Sequence, residues 1–318
     1  MRIRPRDLVL ITGAHGFLGQ HVLRTFLDET SCDLIITARE EKLQFTDIAD
    51  EPRILAYHQL DVTDRIAVKD AISLFKPDVI VHCAGMVNVD LAEHERELAW
   101  KSNVRSVEYL IEAARKTDAR IVHISTDYVF DGLKTPYAEN ASPNPLNYYG
   151  RTKLASENAL RSSGVNYCIL RGAFFYGVEV HHKPSFALNV ISTLKKNQVF
   201  EAYDDLFAPP TLIDDIAFAV IRAVEYKKNG IYHISGPEMI SRYEFAKRIA
   251  NAFRLNSSLL KPIPYSPENR AERPRHSSFI TLKAQTELGL RITGIDEGLQ
   301  VMLRGIGDME DARQIVYQ

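Results

Sequence analysis

Cysteine is scarce in this chain: Cys32, Cys83 and Cys168 lie far apart and form no C-x-x-C pair. That removes a disulfide framework and a thiolate zinc site as organising principles, and points to a reducing, cytoplasmic setting. Charge of one sign is scarce too. Lys and Arg total 39 against 41 Asp and Glu, a net charge of −2 with no basic cluster, so there is no electrostatic reason to expect a nucleic-acid partner. Long apolar runs are missing as well; none approaches the ~18 residues a membrane helix needs, and no membrane association is expected. The apolar segment behind the basic opening Met1–Arg6 is too short for a secretory h-region. No metal is expected, because His15, His82 and the pair His181-His182 show neither H-x-x-x-H nor facial-triad spacing. The adjacent carboxylates Asp204-Asp205 and Asp214-Asp215 read as turn and N-cap residues.

What is present is a large apolar fraction, 45% of 318 residues, enough for a sizeable core and two lobes. Apolar runs at Leu8–Ile11, Leu34–Thr37, Ile54–Tyr57, Val79–His82, Ile121–Ile124 and Tyr167–Leu170 alternate with helical stretches. This is the βαβ signature of an α/β fold with a doubly wound parallel sheet, a Rossmann fold. After Leu170 prolines punctuate shorter elements. The expected division is a dinucleotide-binding domain over residues 1–170 and a smaller, loop-rich substrate lobe over 171–318, interleaved with the first. Ser266–Pro274 and the C-terminal tail are the expected weakly ordered segments. Helices around Ala99–Ala114 and Leu154–Leu160 suit either core packing or a homodimer interface.

Ligands of such sheets bind at the carboxyl ends of the strands, and chemistry-bearing residues collect there. Leu8–Ile11 runs into Thr12-Gly13-Ala14-His15-Gly16-Phe17-Leu18-Gly19 and then a helix. This strand, glycine turn and helix can hold a pyrophosphate at the helix N-terminus, although the spacing is G-x-x-G-x-x-G. Arg39 ends the second strand and favours the extra phosphate of NADP, whereas Glu40 and Glu41 could instead face the ribose of NAD. Asp61-Val62 follow the third strand, Cys83-Ala84-Gly85 the fourth, and Ser125-Thr126 the fifth, the last pair serving either catalysis or backbone capping. Asp61 could equally close a turn. Tyr149 and Lys153, spaced i and i+4, share a helix face where an ammonium can favour the ionised phenol.

Together these motifs, with Leu170-Arg171-Gly172, resemble the extended short-chain dehydrogenase/reductase superfamily. The run Ser125-Thr126-Asp127-Tyr128-Val129-Phe130-Asp131-Gly132, followed by Pro145-Leu146-Asn147-Tyr148-Tyr149-Gly150-Arg151-Thr152-Lys153, is similar to the dTDP-4-dehydrorhamnose reductase family. Two departures are Phe17, where that family commonly has Gln, and the full segment Glu40–His58 between the second and third strands. The resemblance implies reduction of a 4-keto nucleotide-sugar by NAD(P)H, NADPH preferred. Tyr149 would protonate the developing alkoxide, Thr126 would bind the same oxygen, and Lys153 would hold the nicotinamide ribose and lower the Tyr pKa. It further implies cofactor contacts from Gly13, His15, Gly16, Phe17, Leu18, Arg39, Asp61, Val62, Cys83, Ala84, Gly85, Asn103 and Arg171. Substrate contacts would come from Val87, Phe174 and Arg273 in addition to Thr126 and Tyr149, although Arg273 suits a surface role equally. The same Ser/Thr-Asp-Tyr-Val-Phe-Asp-Gly run also resembles the regulatory β subunit of methionine adenosyltransferase, implying the alternative of a nucleotide-binding regulatory subunit. An NAD-dependent epimerase or dehydratase of nucleotide-sugars is a further alternative.

Overall fold

The computed structural model describes residues 7–178, 185–268 and 270–316; His181-His182 lie outside them. The chain begins β1 (Leu8–Thr12), α1 (Phe17–Glu29), β2 (Asp33–Ala38), β3 (Ile54–Gln59), α2 (Arg65–Phe75), β4 (Val79–His82), α3 (Val89–His94), α4 (Arg96–Trp100) and α5 (Ser106–Thr117). It continues with β5 (Arg120–Thr126), α6 (Tyr148–Arg161), β6 (Tyr167–Gly172), β7 (Phe175–Tyr176), α7 (Phe186–Lys195), β8 (Phe200–Tyr203), β9 (Phe207–Ala208), β10 (Thr211–Leu212) and α8 (Ile213–Glu225). Last come β11 (Gly230–Ile234), β12 (Ile240–Ser241), α9 (Arg242–Ala252), β13 (Leu260–Ile263), α10 (Leu282–Glu287) and α11 (Ile295–Val316).

Seven strands form one sheet in the order β11-β6-β5-β4-β1-β2-β3, every pair parallel. Parallel strands need covering on both faces, which explains their continuous apolar runs. Val9, Ile11, Leu34 and Ile36 point into a core with Val22 and Phe26 of α1 and Ile216 and Val220 of α8. Leu10, Ile35, Ile80, Ile121 and Ile169 face Val107 and Leu110 of α5 and Leu160 of α6. α2 starts where it does because Asp64 accepts from the amides of Ile66 and Ala67, at 2.8 and 3.1 Å.

The strand order turns back at β1, which lies between β4 and β2. At this switch point the loops leaving β1 and β4 diverge and open a crevice. A separate apolar cluster of α7, α9 and α11, with Tyr176, Phe245 and Leu299 at its centre, forms a second lobe. Residues beyond 170 also complete the main sheet: β11 pairs with β6, and α8 lies against α1. α11 runs through Val316, and Ser125-Thr126 are the last two residues of β5, at the strand end where the sequence places them. No helix among the described residues is long and apolar enough to cross a membrane.

Candidate functional site

The glycine turn follows directly from the sheet. Gly13 has φ of 67°, in the left-handed region, and a Cβ there would lie 2.8 Å from the Ala84 backbone, so only glycine lets the turn after β1 pass the loop after β4. A Cβ on Gly19 would run into the Gly13 carbonyl. Gly16 occupies the N-cap of α1, makes no side-chain cap, and no acidic residue stands in the first helical turn. The helix therefore offers its free N–H groups and positive end to an anion, and the glycine cradle fits a dinucleotide pyrophosphate.

Beside this turn lies a cleft of about 450 Å³ lined by Gly13, His15, Gly16, Arg39, Glu40, Asp61, Val62, Cys83, Ala84 and Gly85. His15 is 2% exposed and boxed by Tyr57, stacked at 5.5 Å, and Phe45, edge-on at 5.2 Å. Its Nε2 accepts from the Gln44 amide at 3.2 Å, which leaves Nδ1–H to donate to Glu40 Oε2 at 3.0 Å. Burial alone would raise the Glu40 carboxyl, yet its hydrogen bonds to its own backbone amide and to His15 leave it below the usual value. Arg39, at the same rim, is exposed. Asp61 closes a turn by accepting from Thr63 N at 2.8 Å, while helix capping falls to Asp64.

A second cavity of about 290 Å³ shares Gly16, Cys83, Ala84, Gly85 and Met86 with the first, so the two form one groove. Phe17, Leu18, Val87, Asn103, Thr126, Asp127, Tyr149, Lys153 and Phe174 line it. Asn103 sits in a π-helical turn, Lys101–Arg105, ahead of α5, a local distortion that recurs at functional sites. Its amide is fully engaged in the protein: Oδ1 accepts from Met86 N at 2.8 Å, and Nδ2 donates to Met86 O and Thr152 Oγ1, each at 3.0 Å. Asn103 thus holds the loop after β4 against α6. Phe174 has φ of 37°, costly for a non-glycine residue, and its ring lies beneath the Arg242 guanidinium.

Asn147 caps α6 by accepting from Gly150 N at 2.8 Å and donates to the Glu272 carbonyl, also at 2.8 Å, which aims the first turn at the end of β5. Tyr149 and Lys153 both become buried there. The expectation that Lys153 holds the phenol down is corrected. Burial drives Tyr149 above its ordinary value, Asp127 and Tyr128 add to this, and the Thr126 hydroxyl opposes them. Lys153 points instead to His123, with Nζ 3.3 Å from Nε2. Burial draws its ammonium down to about 8 against the pull of Glu157 and Cys83. Asp127 is raised by burial, with Ser277 and Thr126 hydrogen bonds, at 2.5 and 2.9 Å, working the other way.

Two expected contacts do not reach the groove. Arg171 is 1% exposed and bound by Glu157 through Nε at 2.9 Å and Nη2 at 2.6 Å, with His233 3.2 Å from Nη1, so it underpins the site and does not line it. Arg273 donates to Asp90 at 2.9 Å and to the Ala271 carbonyl at 3.2 Å, tying the Ser266–Pro274 segment to α3. Asp214 and Asp215 are not caps either: they reach across to His21 at 2.6 Å and Thr293 at 2.7 Å. Sequence reasoning missed Glu40 in its lock with His15, Glu157 and His123. The helical spacing Lys153-x-x-x-Glu157 was a readable signal for the second; the other two depend on partners distant in sequence.

Comparison with known proteins agrees with this geometry. Residues 7–306 match the family model described as RmlD substrate binding domain. Methionine adenosyltransferase 2 subunit beta of Mus musculus is 34% identical over 309 residues, covering 93% of this chain and 88% of that protein. The dTDP-4-dehydrorhamnose reductase of Aggregatibacter actinomycetemcomitans is 31% identical over 296 residues, 89% of this chain and 94% of that one. Among solved structures, dTDP-4-dehydrorhamnose reductase from Bacillus anthracis in complex with NADP superposes with a TM-score of 0.81 at 27% identity, covering 94% of this chain and 99% of that one.

Proposed function

Because the chain belongs to the dTDP-4-dehydrorhamnose reductase family of extended short-chain dehydrogenases/reductases, we propose that it is an NAD(P)H-dependent reductase acting on a 4-keto nucleotide-sugar. The proposed conversion is dTDP-4-dehydro-L-rhamnose to dTDP-L-rhamnose. One observation carries it: a buried, protonated Tyr149 and Thr126 share a groove with the glycine turn. A phenol that keeps its proton can give it to a developing alkoxide, a far stronger base, and this is the proton that carbonyl reduction consumes. When bound, a nicotinamide supplies the hydride. Tyr149 donates its proton to the alkoxide as charge develops, and Thr126 hydrogen-bonds the same oxygen. Lys153 would hold the ribose, and Met86, Val87 and Phe174 line the neighbouring part of the groove. Exposed Arg39 favours the 2′-phosphate of NADPH over NADH.

The test mixes the protein with NADPH or NADH and dTDP-4-dehydro-L-rhamnose and follows nicotinamide absorbance. Wild type should oxidise the cofactor, and Tyr149→Phe should lose on the order of 10²–10⁴ in rate while still binding it. The 34% identity to a subunit named beta of methionine adenosyltransferase favours a second reading, a nucleotide-binding regulatory subunit. Tight nicotinamide binding without turnover, together with association with a methionine adenosyltransferase catalytic chain, would select it.

A further inference from the structure

Under the floor of the groove the parallel register of β4 and β5 sets His82 beside His123, and their rings stack with centroids 5.5 Å apart. Each is 1% exposed, and the chemistry proposed above uses neither. His123 Nε2 has two neighbours: Lys153 Nζ at 3.3 Å and Ser156 Oγ at 3.0 Å. The Ser156 hydroxyl donates its proton to the Lys153 carbonyl at 2.7 Å, so toward His123 it offers lone pairs. An ammonium offers only protons. The two neighbours therefore make opposite demands on one nitrogen. As an N–H it satisfies Ser156 but confronts the ammonium with a proton; as a bare nitrogen it accepts from Lys153. Nδ1 on the far side has no hydrogen-bond partner among the described residues, so nothing there selects a tautomer.

We propose that His123 is a positioning residue for Lys153 whose tautomer is coupled to the charge on the lysine. While Lys153 is an ammonium, bare Nε2 accepts from it and the ring proton sits on Nδ1. When Lys153 gives up a proton, the ring changes to its Nε2–H form and donates to Ser156. The imidazole carries one proton in both states; only the lysine's proton leaves. The coupling stands on these contacts; its bearing on the cofactor rests on the reading of Lys153 as the ribose-binding group, whose position it would fix.

The other groups around Lys153 leave this role to His123. Glu157, one turn along α6, favours the charged amine but is occupied by Arg171 of β6 and by Ser125. Cys83, beyond β4, is pushed by burial up to about 12 and stays a thiol. His82 is held neutral by burial, at about 3, with Lys153 adding to the effect. Tyr149, one turn earlier on α6, is protonated. His123 is itself held far below the usual imidazole value by burial and by Lys153, so it meets the amine as a neutral acceptor.

Ring-nitrogen NMR of the ¹⁵N-labelled full chain distinguishes protonated from bare nitrogens, with His123→Gln supplying the assignment. Wild type should show Nδ1–H at pH 7 and convert to Nε2–H as pH rises through the lysine titration. Lys153→Met should show Nε2–H throughout. The same tautomer in both proteins, or none of this change up to pH 10, overturns the proposal. As a second measurement, Lys153 is titrated through its ¹³Cε resonance. His123→Phe should lower the midpoint by about one unit, a tenfold change, and His123→Gln should restore it through its amide oxygen; equal midpoints in all three proteins also overturn the coupling. If His123→Phe does not fold, the Gln and Met variants decide. None of these readouts requires turnover. A coupled titration in a chain that oxidises no nicotinamide would refute the reductase and leave the coupling standing.

Discussion

Glu157 has no exposed side-chain surface, yet it carries a full set of partners: two guanidinium contacts to Arg171 at 2.6 and 2.9 Å and the Ser125 hydroxyl at 2.6 Å. Removing one member of a buried pair strands the other charge, which costs about 3–5 kcal/mol. Glu157→Gln should therefore destabilise the fold by about that amount in urea unfolding, whereas Glu157→Leu combined with Arg171→Met should recover most of it. A single variant no less stable than wild type would mean that Arg171 finds another acceptor. At this scale the sequence was half legible. Tyr149 and Lys153 were readable because helical periodicity is local. What burial does to the phenol, and where the ammonium points, was not, because the first depends on the whole surrounding fold and the second on His123, 30 residues away in the chain. The family resemblance implied a cofactor contact for Arg171 and gave no sign of its partner on α6.

The glycine turn shows how much one element depends on its neighbour. Gly13→Ala would place a methyl 2.8 Å from the Ala84 backbone at φ of 67°. The left-handed conformation alone costs roughly 1–2 kcal/mol for a non-glycine residue. The turn would have to move, so nicotinamide binding should weaken by at least about tenfold, the equivalent of 1.4 kcal/mol. Titration of cofactor fluorescence checks this, and unchanged affinity would place the pyrophosphate elsewhere. Five of the first six strands were legible as apolar runs because they are buried on both faces; the edge strand β3, only partly buried, was legible from Ile54-Leu55-Ala56-Tyr57 alone. β11 was not: Ile231-Tyr232-His233-Ile234 is short and interrupted by a histidine, and only its pairing with β6 makes it part of the sheet.

For the whole molecule, buried imidazoles set the acid limit. Burial lowers His82 and His233 to about 3 and takes His123 well below its usual value. Unfolded, the same rings take up a proton near pH 6.5. Between pH 6.5 and about 3 the unfolded chain therefore binds more protons, and stability falls as pH falls. At pH 5 each ring contributes a loss of roughly 1–2 kcal/mol, so the urea midpoint should drop clearly between pH 7 and pH 5. A flat profile would mean that water reaches these rings. Only His82 was legible as a histidine at the end of a buried strand; the depth of His123 and His233 follows from the register of strands far apart in sequence.

The placement of β11 also constrains how the molecule is made. A ribosome delivers β6 some sixty residues before the strand that will cover its edge, because Gly230 pairs with Cys168. Through that interval of vectorial synthesis the Tyr167–Gly172 border remains an open template for the wrong neighbour. A nascent chain stalled before residue 230 is thus a candidate for chaperone capture, and tagging the finished protein at its carboxyl end leaves this vulnerable stage untouched.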